Sequence, residues 1–356
     1  MRTRKILLCV SDSDYTGAPV YVDELRKILE PHFKVSLMVA KNGALLSGYE
    51  LGFNKSKFFA TEDIKSIFRC LNFLRKTKPD IVWMNSFKMS VVVRLALVLS
   101  NSKIPVIYTI HGLSFVKGKV IRNFIIKKLE KTLNNYVKMF VFLTNYDRKE
   151  FINMLGRQVL FEVVPNFSRL DGSNKQRGEI VEYLMPARYD SQKDHLTLLK
   201  AWKLFVSNRR NVRLTLVGRN TDCTELKKKI QSLRLEESIR LVGEKSDMQY
   251  YYTNCDCLVL STHYEGMPLV LLEGMSYGLP IISTNVSGLS EIVTEDVGIL
   301  VESTNVNSML EALENMAKLS EQELRNLSKN ARNRYIKYYS INAFKENINK
   351  LIERTL

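Results

Sequence analysis

Short runs of apolar residues alternate along this chain with longer segments in which apolar residues recur at helical spacing. The short runs are rich in Val, Ile and Leu, which is typical of buried β-strands. The predicted strands are residues 5–10, 35–40, 80–85, 105–111, 139–144, 159–164, 181–185, 213–217, 239–242, 257–261, 280–284 and 298–301. Because buried strands that alternate with helices form parallel sheets covered on both faces, the pattern predicts a doubly wound α/β fold.

A polar stretch at residues 168–179 separates the first six predicted strands from the last six. A length of 356 residues also suits two domains. We therefore predict one Rossmann-like domain over 1–168, completed by a C-terminal crossover helix at about 338–356, and a second over 169–337. Ligands of open α/β sheets bind beyond the carboxyl ends of the strands, so we expect the chemistry on loops in a cleft between the two domains.

Composition narrows the class of protein further. Hydrophobic residues make up 45% of the chain and charged residues 25%, as in globular proteins. The most apolar segment, 91–99, is interrupted by Arg94, and the first apolar stretch, 6–10, is too short for a secretory signal. Five scattered cysteines indicate reduced thiols rather than a disulfide framework. We therefore expect a cytoplasmic protein without a membrane span.

Positive charge is concentrated in the first half of the chain. The formal net charge is +16, and residues 1–168 hold 27 basic and 13 acidic residues, which is +14 of that excess. Nucleic acid and an acidic membrane surface are the two candidate partners for such a domain. The densest basic stretch, 115–157, contains apolar residues at helical spacing and lysines on the other faces. These are Ile121, Phe124, Ile125, Leu129 and Leu133, with Lys127, Lys128 and Lys131. The segment predicts either a basic amphipathic helix for a membrane surface or an ordinary surface helix with its apolar stripe in the core.

The segment 261–280 carries the clearest chemical signal. A glycine-containing turn at Gly266 follows a predicted buried strand, and an apolar helix then begins near Pro268 and ends at Gly278. Backbone N–H groups at a helix N-terminus bind phosphate or sugar oxygens. Glu273 lies among apolar neighbours, where a carboxylate needs a partner, and the paired hydroxyls of a ribose would serve. The alternative is that Glu265 is an acidic residue of the first turn and that Glu273 faces solvent.

The pair Glu265 and Glu273, the glycine between them and the segments that follow resemble the retaining glycosyltransferases of family 4, also described as glycosyl transferases group 1, which have the GT-B fold. Further landmarks occur in the same order as in that family. They are His111-Gly112, Pro165-Asn166, the loop 186–194 with Arg188 and Lys193, Leu216-Val217-Gly218, Gly278-Leu279-Pro280 and the segment 284–293. The resemblance spans nearly the whole chain and is strongest over 181–293.

This resemblance implies a nucleotide-sugar donor held mainly by the second domain. Arg188 and Lys193 would bind the diphosphate, and Glu273 would bind the ribose hydroxyls. Glu265 and the amides of Gly266 to Leu269 would contact the transferred sugar, and His111, from the first domain, would lie near that sugar and the acceptor. The residues so implied as catalytic are Glu265, His111, Lys193 and Arg188. Those implied in donor binding are Arg188, Lys193, Gly218, Glu265, Gly266, Met267, Pro268, Leu269, Glu273 and Gly17.

We therefore predict a retaining, metal-independent glycosyltransferase without a cofactor. It would move a hexosyl unit from a nucleotide sugar, expected to be a UDP-sugar, to a glycan acceptor on a lipid carrier during bacterial surface-polysaccharide synthesis. Two cations with helix amides can neutralise a leaving nucleoside diphosphate without a metal. Asp12-Ser13-Asp14 follows the first strand, and we interpret it as a polar loop rather than a metal site. The basic first domain would rest on the inner face of the cell membrane.

Two other classes of protein remain open at the level of the sequence. One is a GT-B-like epimerase or phosphorylase, which the set of Arg188, Lys193, Glu265 and Glu273 disfavours. The other is a basic nucleic-acid-binding protein, which would interleave stacking aromatic residues with cations. Only one stretch suggests such interleaving. It contains Phe53, Phe58 and Phe59 beside Lys55 and Lys57.

Overall fold

The structure, a computed structural model, describes residues 3–14, 17–53, 61–113, 120–156, 158–172, 181–209 and 211–355. The chain divides into two compact units. Unit 1 comprises Met1–Asn166 and Lys345–Leu356, and unit 2 comprises Phe167–Phe344. The sequence placed these boundaries at 168/169 and near 338. Among the described residues, no helix is both long enough and apolar enough to cross a membrane.

Unit 1 is built on a seven-stranded parallel sheet in the order β3-β2-β1-β4-β5-β6-β7. Its strands are β1 (Lys5–Val10), β2 (Lys34–Val39), β3 (Tyr49–Glu50), β4 (Ile81–Met84), β5 (Val106–Ile110), β6 (Met139–Phe142) and β7 (Phe161–Val163). Its helices are α1 (Gly17–Leu29), α2 (Thr61–Thr77), α3 (Phe87–Leu99), α4 (Val120–Leu133) and α5 (Asn145–Leu155). The central strands are buried on both faces, as the continuous apolar runs predict.

Unit 2 contains a six-stranded parallel sheet in the order β10-β9-β8-β11-β12-β13. Its strands are β8 (Glu182–Pro186), β9 (Arg213–Val217), β10 (Ile239–Gly243), β11 (Cys257–Leu260), β12 (Ile281–Thr284) and β13 (Gly298–Val301). Its helices are α6 (His195–Val206), α7 (Thr224–Leu233), α8 (Gln249–Asn254), α9 (Leu269–Ser276), α10 (Val306–Lys318) and α11 (Glu321–Arg334). A π-helical turn, Tyr335–Tyr339, leads into α12 (Ile341–Thr355), within which the chain returns to unit 1.

In each sheet the strand order reverses beside the first strand of its unit. In unit 2 the first strand, β8, lies between β9 and β11, and β11 is the strand that returns to the centre. The loops that leave β8 and β11 at their carboxyl ends therefore meet at the switch point of the sheet, where doubly wound folds bind ligands. The sequence predicted Arg188 and Lys193 on the first of these loops and Glu265 on the second.

Helix α4 differs in its orientation from the predicted stripe. The helix itself is present over Val120–Leu133, but Phe124 is 68% exposed and does not belong to the core. Leu133, which belongs to the predicted stripe, is buried and Leu129 is half-buried, while Ile126 and Glu130, which do not belong to it, are also buried. The side chains of Ile121 and Ile125 lie outside the described residues. The prediction is thus wrong for Phe124, and the buried face of α4 includes Glu130, which pairs with Arg94 of α3.

Candidate functional site

Arg188 and Lys193 lie on the loop that leaves β8. The Arg188 guanidinium pairs through Nε with the Asp190 carboxylate and donates from Nη2 to Oε1 of Gln192 at 2.6 Å. Asp190 in turn accepts the backbone N–H of Gln192 at 3.0 Å, which makes the loop a tight turn. Asp194 then caps α6 by accepting the N–H of Thr197 at 3.1 Å. The loop is thus held at both ends, and Arg188 stays on its exposed side.

Backbone hydrogen bonds join this loop to the one that leaves β11. The N–H of Asp194 donates to the carbonyl of Ser261 at 3.0 Å, and the N–H of His263 donates to the carbonyl of Gln192 at 2.9 Å. Lys193 is thereby set opposite Thr262 in an isolated antiparallel bridge. The two loops therefore form one backbone framework at the carboxyl edge of the sheet.

Glu265 lies at the centre of this framework and is only 8% exposed. Its Oε1 pairs with the Lys193 ammonium and accepts the Thr262 hydroxyl at 3.0 Å, and its Oε2 accepts Nε2 of Gln192 at 3.3 Å. These partners hold a charged carboxylate in a buried place, where an unpaired one would be very costly. The alternative in which Glu265 is merely an acidic first-turn residue is wrong, because α9 begins four residues later and has no acid in its first turn.

The N-terminus of α9 has no side-chain cap. Pro268 occupies the N-cap position with extended backbone, and it has neither a capping oxygen nor an N–H group. The amide contact expected from Pro268 is therefore impossible. The N–H of Leu271 donates to the carbonyl of Pro268 at 3.3 Å. The N–H groups of Leu269 and Val270 have no acceptor within the helix and lie at the positive end of its dipole. The terminus is thus suited to an oxyanion.

Glu273, on α9, is half-buried and does not simply face solvent. Its Oε2 accepts the hydroxyl of Tyr252, on α8, at 2.5 Å. Burial raises the pKa of the Glu273 carboxyl, and the hydrogen bond from Tyr252 offsets part of that rise. The predicted need for a partner is met in part by a tyrosine that the sequence analysis did not identify.

Gly218, at the end of β9, lets two backbones approach closely. Its φ is +144°, and a Cβ there would lie 2.7 Å from the carbonyl carbon of Ala187 and 2.9 Å from the backbone nitrogen of Arg188. No side chain fits that space without moving the loop that carries Arg188. In this structure Gly218 therefore packs directly against the backbone of the loop that carries Arg188 and Lys193.

A cavity of about 730 Å³ adjoins the same loop between the starts of α6 and α7, and Lys193, His195, Cys223 and Lys229 help to line it. His195 is the first residue of α6 and is almost fully buried. Burial lowers the pKa of its imidazole to about 4, so the ring is neutral at pH 7.

His111 and Gly17, the predicted site residues of unit 1, both follow strands of its sheet. His111 comes directly after β5, and its ring meets the Tyr21 ring edge-on at 4.9 Å. Burial lowers the pKa of His111 to about 4, and its buried Nε2 has no hydrogen-bond partner within the described part of the chain. Gly17 begins α1 with open space where a Cβ would stand, and the preceding Thr16 lies outside the described residues.

The aspartates of the Asp12-Ser13-Asp14 loop bind backbone groups nearby. Oδ1 of Asp12 accepts the N–H of Ser13 at 2.9 Å, and Oδ1 of Asp14 accepts the N–H of Ala44 at 3.2 Å. Across the residues that the structure covers, no cluster of three His, Cys, Asp or Glu side chains could hold a metal ion.

The aromatic stretch that suggested nucleic-acid stacking gives no support to that hypothesis. Phe53 is buried in the core of unit 1, so its ring is not available to a base. The other four residues of the stretch lie outside the described ranges.

The site of unit 2 therefore offers unused hydrogen-bond donors beside a fixed carboxylate. Arg188 has five N–H donors and uses two of them in the described contacts, and Lys193 has three and uses one. With the first turn of α9, these donors suit a group with several anionic oxygens. Gln192 and Thr262, which hold Glu265, were missed. The Gln192 contact spans 73 positions, which no local pattern reveals, and Thr262, three residues before Glu265, has a hydroxyl whose direction the sequence does not show.

Two doubly wound parallel-sheet units in one chain define the GT-B class of fold. Solved structures agree: HepE of Anabaena, in complex with UDP and glucose, matches with a TM-score of 0.80 over 98% of this chain and 99% of its own, at 16% identity. Sucrose-phosphate synthase of Thermosynechococcus elongatus matches with a TM-score of 0.80 over 99% of this chain and 98% of its own, at 17% identity. At these identities the likeness extends to the fold alone.

Two family models match the sequence side by side. The model described as Glycosyltransferase Family 4 covers residues 15–171, and the model described as Glycosyl transferases group 1 covers residues 169–334. Together the two models span residues 15–334. The chain therefore belongs to the glycosyltransferases that these models describe, and it is a transferase enzyme.

The curated relatives include named bacterial glycosyltransferases. An Escherichia coli UDP-Gal:alpha-D-GlcNAc-diphosphoundecaprenol alpha-1,3-galactosyltransferase is 28% identical over 79% of this chain and 76% of its own length. The amylovoran biosynthesis glycosyltransferase AmsD of Erwinia amylovora is 28% identical over 74% of this chain and 75% of its own length.

Proposed function

We propose that this glycosyltransferase transfers a hexosyl unit from a UDP-sugar to a glycan acceptor on a lipid diphosphate, with retention of the anomeric configuration and without a metal ion. The setting would be the synthesis of a bacterial surface polysaccharide. The observation that carries the proposal is the joined pair of loops after β8 and β11, which presents Arg188 and Lys193 with unused donors beside Glu265. The names of the curated relatives support the acceptor class.

In this proposal the diphosphate binds at the first turn of α9 and at the two cations. As the bond between the sugar and the diphosphate breaks, negative charge develops on the leaving phosphate. Arg188, Lys193 and the amides of α9 would stabilise that charge from fixed positions, which is the role a divalent cation plays elsewhere. Because Lys193 has three N–H groups, it could contact a phosphate oxygen while it keeps its bond to Glu265.

The remaining site residues would orient the donor. Glu273 would accept hydrogen bonds from the ribose hydroxyls, and Glu265 would accept them from the transferred sugar. His111, which is neutral at pH 7, would supply a hydrogen-bonding nitrogen to the sugar and the acceptor. Gly17 would allow close approach of a phosphate to the start of α1.

Lys193→Ala tests the proposal most directly. Loss of one preorganised charge contact should lower the turnover number by about 10²–10³-fold. Turnover would be measured by UDP release from a panel of UDP-glucose, UDP-galactose and UDP-N-acetylglucosamine with a lipid-diphosphate glycan. Lys200→Ala, which removes an exposed lysine of α6, is the matched control and should keep full activity. Near wild-type turnover in folded Lys193→Ala would show that this loop does not bind the diphosphate.

The same assay tests the metal and the stereochemistry. Activity should persist in excess EDTA, and the anomeric configuration of the product, determined by NMR, should match that of the donor. Complete loss in chelator with recovery in Mg²⁺ or Mn²⁺ would make Asp12 and Asp14 candidate ligands. An inverted product would overturn the retaining assignment.

The proposal extends to the membrane through α4 of unit 1. Lys127, Lys128 and Lys131 are all exposed on this helix, and the Phe124 side chain is also exposed. Lysines near an anionic leaflet each contribute about 1 kcal/mol, and an exposed aromatic ring adds apolar contact. We propose that this face binds the inner leaflet peripherally, where a lipid-linked acceptor would be found.

A further inference from the structure

Tyr252 is a fully buried polar neighbour of Glu273 in the proposed ribose site. It lies on α8, has no exposed surface, and donates its hydroxyl to Oε2 of Glu273 at 2.5 Å. Its ring stacks on that of Tyr277 with centroids 5.5 Å apart and planes 27° apart. The phenol is therefore held by stacking on one side and directed at the carboxylate on the other.

The hydrogen bond from Tyr252 stabilises the Glu273 carboxylate on α9, a helix that is otherwise largely apolar. Leu271, Leu272 and Met275 on α9 are completely buried, so the surroundings of Glu273 offer little solvation. A hydrogen bond to an ionised group is stronger than one between neutral groups, especially at low local dielectric. Burial raises the pKa of Tyr252 well above its ordinary value, so its hydroxyl keeps its proton and always donates.

We propose that Tyr252 is a positioning residue for ribose recognition, whose hydroxyl fixes the Glu273 carboxylate so that it accepts both ribose hydroxyls of the nucleotide. This inference rests on the proposed function, in which Glu273 binds the ribose. A carboxylate has about four acceptor positions, and Tyr252 occupies one of them on Oε2. The other positions remain for the 2′- and 3′-hydroxyls, and the tyrosine determines in which direction they point.

The hydroxyl also bears on the ionisation of Glu273. Burial raises the pKa of the carboxyl, and the Tyr252 hydroxyl counteracts that rise. Tyr277 follows the end of α9 and stacks on the ring of Tyr252. The negative charges of Asp247, Glu273 and Asp171 add to burial in raising the pKa of the Tyr277 hydroxyl. Cys255 contacts the carbonyl of Tyr252 from the end of α8. Removal of the Tyr252 hydroxyl should therefore raise the pKa of Glu273 further, so that ribose recognition weakens at a higher pH than in the native protein.

The test compares binding of UDP and of 2′-deoxy-UDP by calorimetry in four proteins. The native chain should prefer UDP by about tenfold or more, since a missing hydroxyl leaves the carboxylate short of a partner. Tyr252→Phe should weaken UDP binding by about tenfold and 2′-deoxy-UDP binding by less, so that the preference shrinks. Tyr250→Phe removes the same hydroxyl from an exposed position of α8 and should behave as the native chain. Glu273→Gln should lose most of the preference.

A pH series provides the second readout. The preference for UDP should decline as pH falls and Glu273 gains a proton, and in Tyr252→Phe this decline should begin at a higher pH. If Glu273→Gln removes the preference while Tyr252→Phe retains both the native preference and the native pH dependence, the positioning role is wrong and the proposed function stands. If Glu273→Gln keeps the native preference, or the native chain shows none, the ribose assignment itself fails. A lower melting temperature of Tyr252→Phe with an unchanged preference would reduce Tyr252 to a structural residue.

Discussion

The buried ion pair between α3 and α4 offers a sharp test of how the basic helix is held. Arg94 donates from Nη1 and Nη2 to the two oxygens of Glu130 at 2.8 and 2.7 Å, and neither side chain is exposed. The guanidinium also donates to the carbonyl and hydroxyl of Ser90 at 3.1 and 2.9 Å, and it lies 5.2 Å from the ring centroid of Tyr108. Burial lowers the pKa of Arg94, but Glu130 more than compensates, so the arginine stays charged.

Arg94→Met should be strongly destabilising because it leaves the Glu130 carboxylate buried without its cation. Removal of one partner of a buried pair costs about 3–5 kcal/mol. For a unit of this size, each kcal/mol lowers the melting temperature by about 2–4 °C, which predicts a fall of roughly 6–20 °C. The double variant Arg94→Met with Glu130→Leu removes both charges and should recover most of that loss.

Differential scanning calorimetry of the full chain would measure these shifts, and Lys350→Ala on α12 serves as the control. Lys350 pairs with Glu346 one turn away, and both side chains are exposed, so its loss should lower the melting temperature by no more than about 2–4 °C. The reasoning is refuted if Arg94→Met lowers the melting temperature no more than Lys350→Ala, or if the double variant is as unstable as the single one.

Two further predictions concern charge. Reversal of Lys127, Lys128 and Lys131 to Glu should weaken binding to phosphatidylserine vesicles at low salt by about 100-fold or more, since each lysine contributes about 1 kcal/mol. Reversal of the exposed Lys227, Lys228 and Lys245 of unit 2 is the matched control, and equal loss in both variants, or no binding by the native chain, would contradict a role for α4. Separately, His111 and His195 have pKa values lowered to about 4, so the unfolded chain binds more protons than the folded one between pH 4 and 6.5. Stability should therefore fall as pH decreases through that window, by about 2 kcal/mol for each histidine at pH 5, and urea unfolding of His195→Asn should show a shallower pH dependence than the native chain.

The strands were predictable because each central one is a continuous apolar run. All twelve predicted strands are present, within two residues at their ends. The strand that was missed, β3, has two residues and pairs only with β2 at the edge of its sheet, so it has no run of its own. The chain passes from unit 2 back to unit 1 at Phe344 rather than near 338. The π-helical turn and α12 form one nearly continuous helical pattern, so the sequence does not show where this passage occurs.

The candidate site was predictable to the level of its loops. The resemblance to the family singled out Arg188 and Lys193, and the glycine-containing turn before a predicted apolar helix drew attention to Glu265. In the structure Gln192 contacts both Arg188 and Glu265, and Glu265 pairs with Lys193. Tyr252 and the Arg94–Glu130 pair were not predictable in this way. Each depends on helix packing between positions 21 or 36 residues apart, and the exposed Tyr250 on the same short helix looks no different in sequence.

The return of the chain to unit 1 has a consequence for its synthesis. Unit 2 is a continuous segment and can fold as soon as it has left the ribosome. Unit 1 also contains Lys345–Leu356, where Ile348 and Leu351 are buried and Arg354 pairs with Glu162 at 2.8 Å. At about 5–20 residues per second, its first 166 residues must wait roughly 10–40 s for these last ones. During that time an unfinished basic domain with unpacked apolar surface is present in the cell, which makes the nascent chain a natural client for chaperones.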